Sequence, residues 1–388
     1  MRDVVGKGTI LGYCTNVHAG ADLAQTLANL DEHATAVRRA VSPNEPAAAM
    51  GVGLWLSAKA ALQLTQDPDG VARLRDWLGE RGLLAYTFNG FPYGDFHGEV
   101  VKHAVYQPDW ADPERFAYTL QLARILAGLL PEGAEGSIST LPVGWGTLAD
   151  DPARLTAATA QLRTLVHHLA RVELDTGRYI HVALEPEPGC YLDTAADVVR
   201  YFEEHLLPGP DERSTRAYLQ VCHDVCHSAV MFEEQAAALG AYAAAGLGVG
   251  KVQLSSAVAV PGERADVLAA FDERRYLHQT AVRADGQVTL YEDVGEALQH
   301  APRRGEWRTH FHVPVYLDGW EGCTTTQACI GECLAALRGS DVRHYEVETY
   351  AWSVLPPELR AGRLSDGIAK ELMWVRDEAS RRGLNCRG

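Results

Sequence analysis

The amino-acid sequence predicts a (β/α)₈ barrel with a β insertion between strands seven and eight. Short apolar runs alternate with longer segments of helical periodicity through almost all of the 388 residues, as expected for repeated βα units. Eight such runs can be counted, which is the number that a closed barrel needs. A doubly wound open sheet is the alternative, but no G-x-G-x-x-G turn follows the first predicted strand.

Each predicted strand is a short apolar run bounded by turn residues or helical segments. The eight strands are Thr9–Cys14, Met50–Leu56, Leu83–Phe88, Gly136–Thr140, Tyr179–Leu184, Ala217–His223, Gly250–Leu254 and Arg343–Glu348. The covering helices are predicted from apolar residues at helical spacing, which are Leu23, Leu27, Leu30, Ala34 and Val37 in one segment and Val71, Leu74 and Leu78 in another. Asp112-Pro113 and Asp151-Pro152 each begin a long helix, and a final helix begins at about Ser365.

One further run, Trp307–Tyr316, resembles a strand but would be the ninth. It follows Asp285-Gly286, a dipeptide that favours a tight turn between two antiparallel strands. We therefore predict one domain over residues 1–388, with an insertion at 257–316 that carries a β-hairpin.

Composition limits the classes of partner. The formal charge is −16, from 35 Lys and Arg against 51 Asp and Glu, which disfavours nucleic acid and anionic membrane surfaces. No window approaches the length of apolar sequence that crosses a bilayer, and the first residues lack the apolar centre of a signal peptide. We expect a cytoplasmic protein whose partner is a small polar metabolite. The oligomeric state is not predicted.

Four consecutive predicted strands deliver an oxygen-bearing side chain to one end of the barrel. These side chains are Glu185, Asp224, Gln253 and Glu348, on strands five to eight. In a barrel, active sites are built where strands end. A single carboxylate there could simply cap a turn, but its recurrence on neighbouring strands favours a common site.

Clustered carboxylates repel one another at low dielectric, so protons or a cation must neutralise them. We expect one divalent metal ion, held by Glu185, Asp224, Gln253 and Glu348. Such an oxygen-rich set favours Mn²⁺ or Mg²⁺, whereas one imidazole would shift the preference toward Mn²⁺, Co²⁺ or Zn²⁺. His312 is the competing third ligand and Glu346 the competing fourth, because Glu346 shares a strand face with Glu348.

Three histidines near these strand ends are candidate ligand contacts. His227 lies in the loop predicted after strand six, where it would contact substrate. His310 and His312 share one face of the run Trp307–Tyr316. Such a pair contacts substrate, binds metal or makes ordinary polar contacts within the insertion. Cys222 and Cys226, with the histidines between and beside them, resemble half of a zinc site, but no second pair is spaced to complete it.

Two loops supply further candidate substrate contacts. The segment after strand three is rich in aromatic residues and glycine, which suits a lid over a small polar ligand and equally a packed surface loop. Its candidates are Asn89, Phe91, Tyr93 and His97. Trp145 occupies a comparable position after strand four.

The sequence resembles the xylose-isomerase-like superfamily of sugar isomerases and epimerases, and more closely the EboE group of metabolite traffic proteins. The resemblance spans nearly the whole chain. It is carried by LGYCTNVHAG, TFNGFPYGDFHG, LEPEPGC, HDVCHSAV, KVQLSS, HFHVPVY, EVETYAW and LSDGIAKELMWV. The insertion after strand seven and the H-x-H pair depart from the superfamily pattern.

The resemblance implies a metal held by Glu185, Asp224, Gln253 and Glu348. It also implies that Glu185 and Glu348 act as acid and base and that His227 contacts substrate. The implied function is a metal-dependent isomerase or epimerase that acts on a small polyhydroxylated carbonyl compound, a sugar or cyclitol, through an enediolate, within a metabolite biosynthesis or export cluster. A metal-dependent hydrolase or phosphodiesterase of the same superfamily and a non-enzymatic metabolite carrier are the alternatives.

Overall fold

The computed structural model describes residues 8–43, 48–360 and 362–384, and the backbone of 386–387. Its centre is a closed barrel of eight parallel strands. These are β1 (Thr9–Cys14), β2 (Met50–Leu54), β3 (Leu83–Asn89), β4 (Glu135–Thr140), β5 (Tyr179–Leu184), β6 (Leu219–Asp224), β7 (Val249–Leu254) and β14 (His344–Val347). Each strand pairs with the next, and β14 pairs with β1 to close the barrel.

All eight predicted barrel strands are present, and the predicted fold class is confirmed. The largest differences in bounds are of two residues, at β2 and β6, and β2 ends at Leu54 instead of the predicted Leu56. At β6, helical residues continue to Tyr218, so the strand begins at Leu219 instead of Ala217. The last strand ends at Val347, so Glu348 is the first residue beyond it.

Helices surround the barrel. The α-helices are α1 (Leu23–Asn29), α2 (Thr35–Val41), α3 (Ala58–Gln66), α4 (Gly70–Glu80), α5 (Pro113–Leu129), α6 (Pro152–Thr176), α7 (Ala195–Tyr201), α8 (Glu212–Tyr218), α9 (Val225–Val230), α10 (Gln235–Ala244), α11 (Val294–His300), α12 (Gln327–Ala336) and α13 (Leu364–Arg381). Short 3₁₀ segments lie at Thr15–His18, Lys102–Tyr106, Gly146–Asp150, Gly262–Phe271, Tyr350–Val354 and Pro357–Arg360, and π segments at Leu30–Ala34 and Phe202–Leu206. Among the described residues, none of these helices is both long and apolar enough to span a bilayer.

The predictions that helices begin at Pro113 and Pro152 are confirmed by α5 and α6. Asp151 caps α6, because its side chain accepts a hydrogen bond from the backbone N–H of Arg154. Asp112 makes no such bond to α5. Its carboxylate instead accepts from the Asp109 N–H and from the Arg154 guanidinium, which ties the starts of the two helices together.

A second, antiparallel sheet lies between β7 and β14 in the sequence. Its strands are β8 (Val258–Pro261), β9 (Thr280–Ala284), β10 (Gln287–Tyr291), β11 (Glu306–Thr309), β12 (Gly319–Trp320) and β13 (Cys323–Thr325). The predicted hairpin joins β9 to β10 through Asp285 and Gly286, which have φ of 53° and 78°. Both φ values lie in the left-handed region, as the favoured two-residue turn between antiparallel strands requires at its two central residues.

The predicted strand Trp307–Tyr316 is wrong beyond Thr309. After His310 the chain leaves the sheet, because the Phe311 N–H donates back to the Thr309 backbone oxygen and the Val313 N–H donates to Ser256, out of register with the β11–β8 pairing. His310 and His312 are therefore not on a strand. Their rings nevertheless lie side by side, with centroids 5.2 Å apart.

The barrel interior contains a buried ion pair below its C-terminal end. Lys251 Nζ lies 2.7 Å from a carboxylate oxygen of Glu346, and both side chains are fully buried. Gly53 faces this carboxylate. A Cβ atom at that position would fall 1.2 Å from Glu346 Oε1, so the strand has room only for glycine there.

Candidate metal centre

Three carboxylates meet at the C-terminal end of the barrel. Glu185 follows β5, Asp224 ends β6 and Glu348 follows β14. One oxygen from each lies within 4.8 Å of the others, and all three residues are buried. Parallel strands bring their carboxyl ends to the same rim, so residues distant in sequence converge there.

In Asp224 and Glu348, neighbouring groups donate hydrogen bonds to one carboxylate oxygen. Other carboxylate oxygens of the cluster receive no hydrogen bond. Asp224 Oδ1 accepts bonds from the Ser255 hydroxyl at 2.7 Å and the His227 N–H at 2.9 Å. Glu348 Oε1 accepts from the amide groups of Asn16 and Asn89, at 2.6 and 2.9 Å. By contrast, Asp224 Oδ2 and Glu185 Oε2 are buried without a hydrogen-bond partner.

The cluster strongly perturbs its own ionisation. Burial raises the pKa of Glu185 well above its usual value, and the charges of Glu348 and Asp224 add to this effect. Burial, together with Asp224 and Glu346, raises the pKa of Glu348 to about 8. Burial opposes the charge of Asp224 as well, but the imidazoles of His227 and His312 hold its pKa below the usual value.

Two more side chains at the rim carry potential ligand atoms without partners. The amide of Gln253 is fully buried, and neither its oxygen nor its nitrogen forms a hydrogen bond. His312 bonds through Nδ1 to the backbone oxygen of Glu348 at 2.9 Å, and its buried Nε2 has no partner. A carbonyl acceptor at Nδ1 places the proton there, so Nε2 presents a lone pair.

These donors fit a divalent cation. A buried oxygen without a partner costs free energy unless a proton or an ion satisfies it, and here oxygens of Glu185, Asp224 and Glu348 lie within 4.8 Å of one another. Burial lowers the pKa of His312 to about 4, which keeps its ring neutral and able to bind metal. Glu346 lies deeper and pairs with Lys251.

His227, His310 and His312 form a second cluster beside the carboxylates. His227 bonds through Nδ1 to the Pro186 backbone oxygen at 2.8 Å, and His310 bonds through Nδ1 to Gln279 Oε1 at 2.8 Å. The Nε2 atoms of these two rings face each other at 3.2 Å. Burial lowers the pKa of His310 well below its usual value.

Gln279 determines which nitrogen of His310 carries the proton. The Gln279 amide nitrogen donates to the Pro188 backbone oxygen at 3.0 Å and to Glu187 Oε1 at 3.1 Å, so the amide oxygen must face His310. His310 therefore carries its proton on Nδ1. His227 and His310 consequently point two lone pairs at each other, an arrangement that a shared proton or a cation would relieve.

Above the carboxylates lies a pocket of about 520 Å³, a volume that includes its open mouth. Of the predicted site residues, Glu185, Glu348, Asn89, Phe91, His227, His310 and His312 line it. Asp224 and Gln253 lie beneath the pocket floor. His227 lies in the first turn of α9 and not in a loop, because Asp224 caps that helix.

Three predicted contacts do not line the pocket. Tyr93 packs against Tyr118 on the outer side of the barrel. His97 lies behind the pocket wall, where its Nε2 is 2.6 Å from the Asn16 backbone oxygen and its Nδ1 is 3.1 Å from the Tyr276 hydroxyl. Trp145 packs against Tyr106, with ring centroids 4.7 Å apart, and lines a neighbouring groove.

The fold has counterparts among solved structures. A D-tagatose 3-epimerase-like protein is similar over 96% of this chain and 98% of its own, at 11% identity and a TM-score of 0.50. A putative sugar phosphate isomerase/epimerase from Anabaena variabilis is similar over 97% of this chain and 99% of its own, at 12% identity and a TM-score of 0.50. The fold is a xylose-isomerase-like TIM barrel. At such identities the likeness extends to the fold alone.

A third structure, 3-keto-D-glucoside 4-epimerase from E. coli, is similar over 95% of this chain and 99% of its own, at 14% identity and a TM-score of 0.48. Neither a protein-family model nor a curated protein matches the sequence.

Several residues of this site are not among the candidates from the sequence. They are Asn16, Lys102, Tyr106, Glu187, Tyr276, Gln279 and Tyr350. Asn16 follows β1 and Glu187 follows Glu185, so the strand-end rule could have found both. Lys102, Tyr106 and Tyr350 lie in 3₁₀ segments, and Tyr276 and Gln279 lie in the connection before β9. No sequence pattern marks where those segments fold back.

Proposed function

We propose that the protein is a metal-dependent isomerase or epimerase of a small polyhydroxylated carbonyl compound, a sugar or a cyclitol. The observation that carries the proposal is the convergence of Glu185, Asp224 and Glu348, with oxygens within 4.8 Å of one another, at a pocket that Glu185 and Glu348 line. Structural neighbours named as epimerases and isomerases support it.

The proposed metal ligands are Glu185, Asp224 and Glu348, with Gln253 and His312 as the remaining candidates. A set containing Gln253 favours Mn²⁺ or Mg²⁺, and a set containing His312 shifts the preference toward Mn²⁺, Co²⁺ or Zn²⁺. A divalent ion here would polarise adjacent carbonyl and hydroxyl oxygens of a substrate.

Glu185 and Glu348 are the proposed proton-transfer groups. Without a cation, burial raises the pKa of both carboxyl groups, which makes their carboxylates stronger bases than those of exposed glutamates. One would remove a proton from the carbon beside the substrate carbonyl to give an enediolate, and the other would return a proton. Asn16 and Asn89 bind Glu348 Oε1 and would orient the carboxyl group for this transfer.

The test is proton exchange at substrate carbon in D₂O with metal-loaded protein. Glu185→Gln removes the proposed base with little change in size, and exchange should fall at least about 100-fold. Glu371→Gln is the matched control, because Glu371 is an equally buried carboxyl that does not belong to the cluster. Unchanged exchange in Glu185→Gln, with exchange retained in Glu371→Gln, contradicts the mechanism.

A second candidate function is metal-dependent hydrolysis, including phosphodiester cleavage. The observation that favours it is the histidine cluster, in which His310, His312 and Cys226 offer ligand atoms within 4.8 Å of one another, as do Asp224, His227 and His312. Two adjacent metal ions are common in hydrolases. One tightly bound ion per chain, measured by elemental analysis, supports the isomerase, and two or more support the hydrolase.

The third hypothesis, which the EboE resemblance implies, is a non-enzymatic metabolite carrier. It predicts tight binding of a hydroxyl-rich ligand without exchange. Incubation of the metal-loaded protein with candidate sugars in D₂O distinguishes a carrier from an isomerase, because only an isomerase incorporates deuterium at carbon.

A further inference from the structure

We propose that the pocket is selective for uncharged ligands, and that an ion pair between Lys102 and Asp293 at its mouth determines this selectivity. The inference rests on the proposed function and narrows its substrate class to unphosphorylated, uncarboxylated polyhydroxylated carbonyl compounds. The pair joins the 3₁₀ segment Lys102–Tyr106 to the residue that precedes α11.

The charges that face the pocket are predominantly negative. Glu185, Glu187 and Glu348 line it, and Asp224 lies beneath. Among the described residues that line the pocket, Lys102 is the one Lys or Arg side chain. Since one divalent ion supplies two positive charges to this group of four carboxyls, no positive charge remains to attract an anionic substituent.

The one cation at the mouth is already neutralised. The Lys102 ammonium contacts Asp293 Oδ2, and both side chains are largely buried, at 31% and 22% exposure. Asp293 is held in place independently of the lysine, because its Oδ1 accepts the Val294 N–H at 2.9 Å and lies 3.3 Å from the His278 N–H. A ligand phosphate would have to displace a carboxylate fixed in this way.

The lysine is also held in place. The backbone N–H groups of Val101 and Lys102 both donate to the Arg275 backbone oxygen, at 2.8 and 2.9 Å. Lys102 has a φ of 36°, a left-handed conformation that non-glycine residues adopt only when their surroundings require it. The segment that carries Lys102 is thus anchored to the connection that precedes β9, and its lysine pairs with Asp293.

The rest of the pocket wall suits an uncharged ligand with an apolar face. The aromatic rings of Phe91, Phe96, Tyr106, Tyr276 and Tyr350 surround the space above the carboxylates. Such rings pack against the C–H faces of small polyhydroxylated molecules and offer no charge to a phosphate. The wall and the ion pair therefore favour the same class of ligand.

The experiment compares matched pairs of ligands on the full-length, metal-loaded protein. The probes are D-fructose, D-tagatose and myo-inosose, each beside its monophosphate, with deuterium exchange and calorimetric binding both measured. Wild-type protein should bind at least one neutral member and prefer it over its phosphate by about tenfold or more, as repulsion at low dielectric predicts. Asp293→Asn keeps the Oδ1 acceptor but removes the negative charge that neutralises Lys102. The variant should improve the relative binding of phosphates by about fivefold, and added salt should reduce this effect.

Glu292→Gln is the matched control. It removes one negative charge from the neighbouring residue, which pairs with His103 and not with Lys102, and should leave the preference unchanged. In Asp293→Asn, the further change Lys102→Met should abolish the gain. Three results would overturn the inference. Wild-type protein could prefer the phosphates or bind no neutral probe, or Glu292→Gln could improve the relative binding of phosphates as much as Asp293→Asn does. Neutral binding without exchange contradicts the isomerase alone.

Discussion

His312 Nδ1 lies 2.9 Å from the backbone oxygen of Glu348, which links the segment between β11 and β12 to the end of the last barrel strand. The bond places the His312 proton on Nδ1 and leaves Nε2 facing the carboxylates as a lone-pair donor. A histidine from outside the barrel strands would thereby be available to the metal proposed at their ends.

His312→Gln should lower the affinity for divalent metal by about tenfold or more, because it removes an oriented imidazole ligand. The loss should be larger for Zn²⁺ than for Mn²⁺, since zinc depends more on nitrogen ligands. Competition with a fluorescent chelator measures both. His223→Gln is the control, because His223 is buried on the helix side of β6 and bonds to Gln235. Unchanged zinc affinity in His312→Gln would assign the site to oxygen ligands alone.

Lys251→Met should destabilise the protein by about 3–5 kcal/mol, because it leaves the Glu346 carboxylate buried without its counter-ion. Although burial favours the neutral amine, Glu346 holds the pKa of Lys251 above its usual value, so the native pair is charged. Urea denaturation measures the change. Should the single variant fail to fold, Lys251→Met with Glu346→Gln tests the same idea, since removal of both charges should recover much of the loss. Equal stability of the single and double variants would contradict it.

Glu371→Gln should stabilise the protein at alkaline pH and not at acidic pH. The Glu371 carboxyl is buried and accepts bonds from Thr349 Oγ1 at 2.6 Å and the Val315 N–H at 3.1 Å, and burial raises its pKa from 4.5 to about 7. A raised carboxyl pKa gives a contribution that is fully present below pH 4.5 and is lost as pH rises to about 7.

Glutamine does not ionise, so it escapes this loss. The variant should gain about 2–3 kcal/mol over wild type at pH 8 and nothing at pH 4. Denaturation curves at the two pH values measure the difference, with exposed Asp377→Asn on the same helix as the control. An equal change at both pH values would show that Glu371 does not titrate between them.

The sequence predicted the barrel and the end of the barrel where polar side chains collect. Strand and helix periodicity are local properties, and a parallel barrel brings every strand end to one rim, so Glu185, Asp224 and Glu348 could be placed together without coordinates. Because side chains alternate along a strand, Glu346 and Glu348 are predicted to share one face. The sequence pattern therefore could not decide which of the two joins the carboxylate cluster. The tertiary pairing of Glu346 with Lys251 separates them.

Local sequence patterns are therefore sufficient to predict the fold class and the strands that build the rim. Which side chains meet above that rim depends on tertiary contacts, because the second sheet docks there through contacts between residues far apart in the chain. Gln279 orients His310, Asp293 neutralises Lys102 and His312 turns toward the carboxylates only once this sheet is in place. These contacts depend on the packing of one sheet against the barrel mouth, and no local periodicity encodes that packing.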